Sequence, residues 1–142
     1  MIELYPKKCN ICGGVVQYIE NKNIYGKSYG SGWCYYCKDC GAYVGTHKPR
    51  PKEALGILAN EEMKKWKMWC HREFDILWKG CKEYIKIDGT IVKQQKPKYK
   101  RNECYKWLSN EMNIPLNECH FGYFDIKQLK RAYAILKNKK PL

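Results

Sequence analysis

The longest hydrophobic periodicity in the chain runs from Met63 to Cys81, where Met63, Trp66, Cys70, Phe74, Leu77 and Cys81 recur every three or four residues. That spacing places all six on one narrow face of an α-helix, as in an element that buries a stripe against a core. Asn60 precedes the run as the predicted N-cap. Glu61 and Glu62 follow in the first turn, where the helix dipole favours negative charge. Cys104, Trp107, Leu108 and Met112 predict a second helix over roughly Lys100 to Asn113, ending before Pro115. Leu129, Tyr133 and Leu136 predict a last helix opening at Asp125. Asp125 and Gln128 have the spacing of a capping box, and Phe124 is placed to staple onto Leu129. Between the first two helices, Tyr84 to Lys93 reads as two short strands around the turn Asp88-Gly89.

The N-terminal third has a different rhythm. Val15 to Ile19, Trp33 to Tyr36 and Ala42 to Thr46 are short β-branched and aromatic runs that predict strands, and Tyr25 to Gly32, rich in Gly and Ser, predicts a loop. Lys48-Pro49-Arg50-Pro51 disfavours both helix and inner strand, so a boundary falls there, dividing residues 1–48 from 49–142. The expected class is α+β: a ribbon of short antiparallel strands packed on a mainly helical C-terminal part, with a hairpin inserted at about 84–93.

Cysteine spacing turns that ribbon into a metal site. Cys9-Asn10-Ile11-Cys12-Gly13 and Cys37-Lys38-Asp39-Cys40-Gly41 are two knuckles separated by 24 residues. Each can aim two sulfurs at one tetrahedral ion, with a glycine after the second cysteine to complete the turn. Cys9, Cys12, Cys37 and Cys40 are the predicted ligands of one structural Zn²⁺, with Cys34 as an alternative to Cys37 because Cys34, Cys37 and Cys40 offer three sulfurs for two places. A disulfide framework is disfavoured, since Met1 to Lys8 is polar and lacks the apolar segment of a secretory signal. With no run long enough to span a membrane, the chain is expected in the cytoplasm.

Charge separates the two parts. The chain carries 27 Lys and Arg against 14 Asp and Glu, but residues 1–47 hold only 5 basic and 3 acidic side chains, which four metal-bound thiolates would neutralise. The remaining 22 basic and 11 acidic side chains lie in residues 48–142. An anionic partner is therefore expected to meet the C-terminal part. Lys96, Lys98, Tyr99, Lys100, Arg101, Tyr105 and Lys106 interleave basic and aromatic residues, and Lys127, Lys130 and Arg131, followed by Lys137, Lys139 and Lys140, continue the positive charge. The ribbon is expected to add an exposed aromatic edge from Tyr25, Tyr29, Trp33 or Tyr35.

His71 and Asp75, one helical turn apart, form a polar pair that suits a structural hydrogen bond or, less simply, a catalytic base. A second metal site from Cys70, His71, Cys104, Cys119 and His120 is disfavoured, because adjacent residues diverge by about 100° on a helix. Cys70, Cys81 and Cys104 read as core thiols. The roles of His47 and His120 stay open.

The chain resembles the zinc-finger-containing domain of bacteriophages and prophages, a family of unassigned function. The likeness is carried by Cys9-Asn10-Ile11-Cys12-Gly13-Gly14, by Cys40-Gly41-Ala42-Tyr43-Val44-Gly45-Thr46-His47 and by Leu55-Gly56-Ile57-Leu58-Ala59-Asn60. It continues through His71-Arg72-Glu73-Phe74-Asp75-Ile76-Leu77-Trp78, Tyr105-Lys106-Trp107-Leu108 and Cys119-His120-Phe121-Gly122-Tyr123-Phe124-Asp125. The resemblance implies Cys9, Cys12 and Cys40 as ligands, a fourth at the Cys37 or Cys34 spacing, and an accessory protein of phage type in a bacterial host. The chain departs from the pattern between Cys81 and Lys98, where relatives have a short connection.

No phosphate-cradling loop ending in Lys and Ser or Thr occurs, nor a His-x-Glu motif followed by a cysteine pair, so the chain is read as a non-enzyme. The leading expectation is an accessory protein that binds nucleic acid with low sequence selectivity, since lysine outnumbers arginine at the basic positions. The alternative is a protein-binding factor acting on a host complex, such as an antiviral defence system. A nucleic-acid-processing enzyme is the minor alternative.

Overall fold

The computed structural model describes residues 3–80, 83–94, 96–139 and 141. Cys81 and Lys140, named above, lie outside the described residues. In chain order the elements are β1 (Val16–Glu20), α1 (Lys22–Tyr25), β2 (Trp33–Cys37), β3 (Tyr43–Gly45), α2 (Glu61–Lys79), β4 (Tyr84–Ile85), β5 (Ile91–Val92), α3 (Arg101–Met112), two 3-10 turns (Leu116–Glu118 and Phe121–Tyr123) and α4 (Ile126–Asn138). The fold is α+β: a three-stranded antiparallel sheet near the N-terminus and a mostly helical C-terminal part. No helix among the described residues is long and apolar enough to cross a membrane.

Strands β1, β2 and β3 lie in that order, with Val16 opposite Cys37, Tyr18 opposite Tyr35, and Cys34 opposite Gly45. Alternation along β2 sends Tyr35 and Cys37 to one face and Cys34 to the other. The first face closes over a small core of Cys9, Cys37, Ala42, Val44, Ala54 and Leu58 with Tyr35. On the other face, Tyr43 receives the ammonium of Lys64 from α2, 3.1 Å above its ring.

Residues 49–59, which the proline-rich boundary assigned to the helical part, pack on the ribbon instead. Tyr18 and Tyr35 hydroxyls donate to the carbonyls of Pro51 and Lys52, both at 2.6 Å. Tyr43 and Thr46 bridge to Ala59 and Ala54. Within this stretch Leu58 enters the ribbon core, while Ile57 and Ala59 join the larger core of the helical part. Gly56 crosses Gly122 so closely that a Cβ there would land on the Gly122 carbonyl.

The helical core gathers Met63, Cys70, Phe74 and Leu77 of α2, Cys104, Leu108 and Met112 of α3, and Leu129, Ala132 and Leu136 of α4, closed by Phe121 and Phe124. Of the predicted α2 stripe, Met63, Cys70, Phe74 and Leu77 are buried and Trp66 is half-buried, but the helix ends at Lys79, before Cys81; Glu73 is also buried, 3.3 Å from Lys86 of the hairpin. Asn60 caps α2 by accepting from the Met63 N–H at 2.9 Å. Asp125 and Gln128 form the reciprocal capping box of α4. The hairpin stands beside α2 and α4, tied by Glu73–Lys86 and by Asp88–Lys137 at 3.7 Å.

Candidate metal centre and basic groove

The two knuckles are built alike. In the first, Gly13 (φ 77°) lets its N–H reach the Cys9 carbonyl at 2.9 Å, and in the second Gly41 (φ 81°) returns to the Cys37 carbonyl at 2.8 Å. The N–H groups of Ile11 and Gly14 donate to the sulfurs of Cys9 and Cys12, both at 3.4 Å. These turns bring four sulfurs within 4.8 Å of one another, with Cys9–Cys40 at 3.6 Å and Cys12–Cys37 at 3.4 Å. A tetrahedron with Zn–S bonds of about 2.3 Å has edges of about 3.8 Å, whereas a disulfide needs about 2.05 Å. The donor set and its spacing fit one structural zinc ion.

Electrostatics agree with that reading. Cys37 is drawn down to about 7, first by the amide of Cys40 and then by hydrogen bonds from Cys12 and the Asp39 amide, with burial opposing. Cys12 accepts from the Gly14 amide, which lowers it, yet it is pushed up to about 12, chiefly by sharing a hydrogen with Cys37. A divalent metal resolves such a cluster by replacing shared protons with one charge at its centre. Cys34 takes no part. It is buried on the opposite face of β2, where burial raises its thiol pKa, and strand alternation is the reason it cannot substitute for Cys37.

Closed on four thiolates, with no position left for substrate, this is a metal centre of the zinc-finger class. The chain matches the family of the zinc-finger-containing domain over residues 5–139, and it belongs to that family. No curated protein and no solved structure matches it.

Asn10, between the first two ligands, was not singled out from the sequence. Its side chain accepts from the Leu58 N–H at 2.8 Å and donates to the Leu58 carbonyl at 2.9 Å, which ties the knuckle to the segment joining the two cores. The only signal for it was an amide side chain at the tip of a knuckle.

The aromatic edge expected of the ribbon is divided. Tyr25 and Tyr29 are exposed and meet edge to face, 5.3 Å apart. Tyr35 is not available: it is 8% exposed, its ring in the ribbon core and its hydroxyl spent on Lys52. Trp33 is half-buried and stacked on Tyr18 with centroids 4.8 Å apart.

The polar pair on α2 is also rearranged. Asp75 accepts from Trp78 Nε1 at 3.0 Å and lies 3.7 Å from Lys79 Nζ. His71 turns its ring edge-on to Phe121 at 4.8 Å. No direct hydrogen bond joins the two, because an indole N–H three residues on competes for the carboxylate. Burial lowers the His71 pKa, with the charges of Lys67, Arg101 and Lys79 adding to that and Asp75 opposing it. Lys67, one turn before His71, donates to the Gly122 carbonyl at 3.3 Å, and burial first and Lys64 second bring it down to about 8.

The basic residues fall into two sets. On α4, Lys130 pairs with Glu62 at 3.8 Å and Arg131 donates to the Glu111 carbonyl at 3.2 Å, and just beyond its end Lys139 pairs with the Glu111 carboxylate at 3.0 Å. Lys127 is exposed without an ion pair among the described residues. Before and along α3, Lys96, Lys98, Lys100, Arg101 and Lys106 are exposed and have no carboxylate partner among the described residues. Tyr99 is half-buried against the helical core and directs the segment onto it. Arg101 and Lys106 share the wall of a groove of about 440 Å³ with Tyr105 and His120. His120 acquires its place only through the turn that folds residues 116–123 back against α3, a contact that no local pattern signals.

Proposed function

We propose that this protein is a nucleic-acid-binding accessory protein, of the phage type that the family resemblance implies, and that it grips phosphates through residues 96–106 with little sequence selectivity. The carrying observation is the unequal neutralisation of its charge: the side chains of Lys96, Lys98, Lys100, Arg101 and Lys106 keep no carboxylate partner among the described residues, whereas Lys130 of α4 and Lys139 just beyond it are paired and, of the described lysines there, only Lys127 is not. Unpaired cations on one stretch of surface attract a polyanion and release its counterions on contact. The ribbon supplies rigidity, its four thiolates closing on the metal without a vacant coordination position.

Fluorescence anisotropy with short labelled DNA and RNA tests this reading. Binding is expected to weaken steeply with salt, and replacing Lys96, Lys98, Lys100 and Lys106 by Gln is expected to cost a factor of about 10² or more at low salt. Replacing Lys130 and Lys139 by Gln is expected to cost far less. Absence of binding at low salt, or equal losses in the two sets of variants, contradicts it.

A protein partner with an acidic surface, within a host complex, is the second reading. It is favoured by the hairpin, on which Ile85, Ile87 and Ile91 are exposed by 66%, 56% and 54%. Exposed isoleucines beside open strand edges suit pairing with another chain. A pull-down from nuclease-treated bacterial lysate should then retain a stoichiometric protein that is lost on replacing Ile85 and Ile91 with Ser.

A further inference from the structure

Arg101 is held in position before any ligand arrives. Its guanidinium carbon lies 4.9 Å from the centre of the Tyr105 ring and 5.4 Å from that of Trp78, and its Nη2 donates to the Tyr105 hydroxyl at 3.3 Å. Two aromatic rings fix a long side chain and reduce the entropy it would lose on binding. The acidic groups on these helices have other partners. Asp75 serves Trp78 and Lys79, and Glu103 accepts from the Lys100 N–H at 3.4 Å. An arginine immobilised on rings, with no counter-ion among the described residues, keeps donors of its planar fork for an oxyanion.

Around it the groove offers more than charge. Lys106 adds a second cation, and Tyr105 and His120 present rings with centroids 5.6 Å apart. The amides of Asn102 and Asn117 provide paired donors and acceptors, and Leu116, 47% exposed, provides an apolar contact. Although His120 is exposed, desolvation of the ring where it packs beside Tyr105 and Tyr123, assisted by Arg101, lowers its pKa, which favours the uncharged ring that stacking uses.

We propose that this groove receives an unpaired nucleotide of a single-stranded nucleic acid, its phosphate on Arg101 and Lys106 and its base against Tyr105 and His120. The proposal rests on the nucleic-acid reading above and adds to it a choice between strand and duplex. Base faces in a duplex are covered by their neighbours, so a cavity of about 440 Å³ meets only its sugar-phosphate ridge. An unpaired base brings its π-face and its hydrogen-bonding edge, which are what aromatic rings and amides recognise. A solvated lysine patch alone would make no such distinction.

The test compares anisotropy of single-stranded RNA and DNA of about ten nucleotides with that of the matching duplexes, at about 50 mM salt. At least one single strand is expected to bind about tenfold or more tightly than its duplex. His120→Ala is expected to weaken single-strand binding by about 5-fold to 100-fold while leaving duplex binding within about twofold, whereas Arg101→Gln, which also removes a phosphate contact, is expected to weaken both. His120 is exposed, so its variant folds and carries the test even where Arg101→Gln is unstable; zinc content and melting temperature check this. Duplexes that bind as tightly as single strands, or a His120→Ala protein that binds single strands like the parent, overturn the groove proposal and leave the basic-surface reading standing. Loss of all binding by the parent protein overturns both.

Discussion

At the residue scale the cysteines sort themselves by geometry. Cys9, Cys12, Cys37 and Cys40 converge, whereas burial pushes Cys70 up to about 12 and Cys119 up to about 11, keeping them as thiols. Cys70 even donates its S–H to the Leu129 carbonyl, 3.3 Å away in the helical core. The difference lies in placement: the four knuckle sulfurs lie within 4.8 Å of one another, where one metal ion can take them all, and the core sulfurs are buried among apolar side chains. Metal analysis of purified protein is therefore expected to return one zinc per chain. Replacing Cys12 and Cys40 with Ser is expected to remove it, since a structural zinc contributes on the order of 10–16 kcal/mol to its module at pH 7. A double variant that keeps a full equivalent of zinc and its β-sheet would refute the assignment.

Among the elements, the stretch from Ala54 to Ala59 matters most for how the two parts act together. It places Leu58 in one core and Ile57 and Ala59 in the other, and Asn10 clamps it to the first zinc knuckle. The Ile57 N–H donates to the Gly122 carbonyl at 2.9 Å, which the bare backbones of Gly56 and Gly122 permit. Gly56→Ala is expected to destabilise the protein by about 2 kcal/mol or more, a Cβ having no space at a backbone crossing. Urea denaturation checks this, and an unchanged midpoint would contradict it. The sequence shows where α2 and α4 begin, and most of their buried faces, because those signals are local: a periodic stripe, an Asn cap, a capping box. It shows the metal ligands because knuckle spacing is local too. The segment that joins the parts was hidden, since two prolines suggested a break where tyrosine hydroxyls actually hold the chain to the ribbon. His120 and the Trp78–Arg101–Tyr105 stack were hidden for a related reason, as they join α2, α3 and a turn that only tertiary packing brings together.

For the whole molecule, the metal centre and the positive charge have separate places. The ribbon is close to neutral once four thiolates hold zinc, and it is anchored to the helical part through Asn10, Gly56 and the Lys64–Tyr43 contact. The helical part carries the uncompensated charge and the groove, and the hairpin stands beside α2 and α4, held by Glu73–Lys86 and Asp88–Lys137. On the proposed reading, the zinc site is a support and α3 with its neighbouring turn is the contact surface. Titration of isotopically labelled, zinc-loaded protein with a single-stranded oligonucleotide, followed by amide NMR, tests that division most directly. The account predicts shifts concentrated in residues 96–106 and 116–120, with the knuckles at Cys9–Cys12 and Cys37–Cys40 unmoved. Shifts centred on the knuckles or on the hairpin, with residues 96–106 silent, would contradict it.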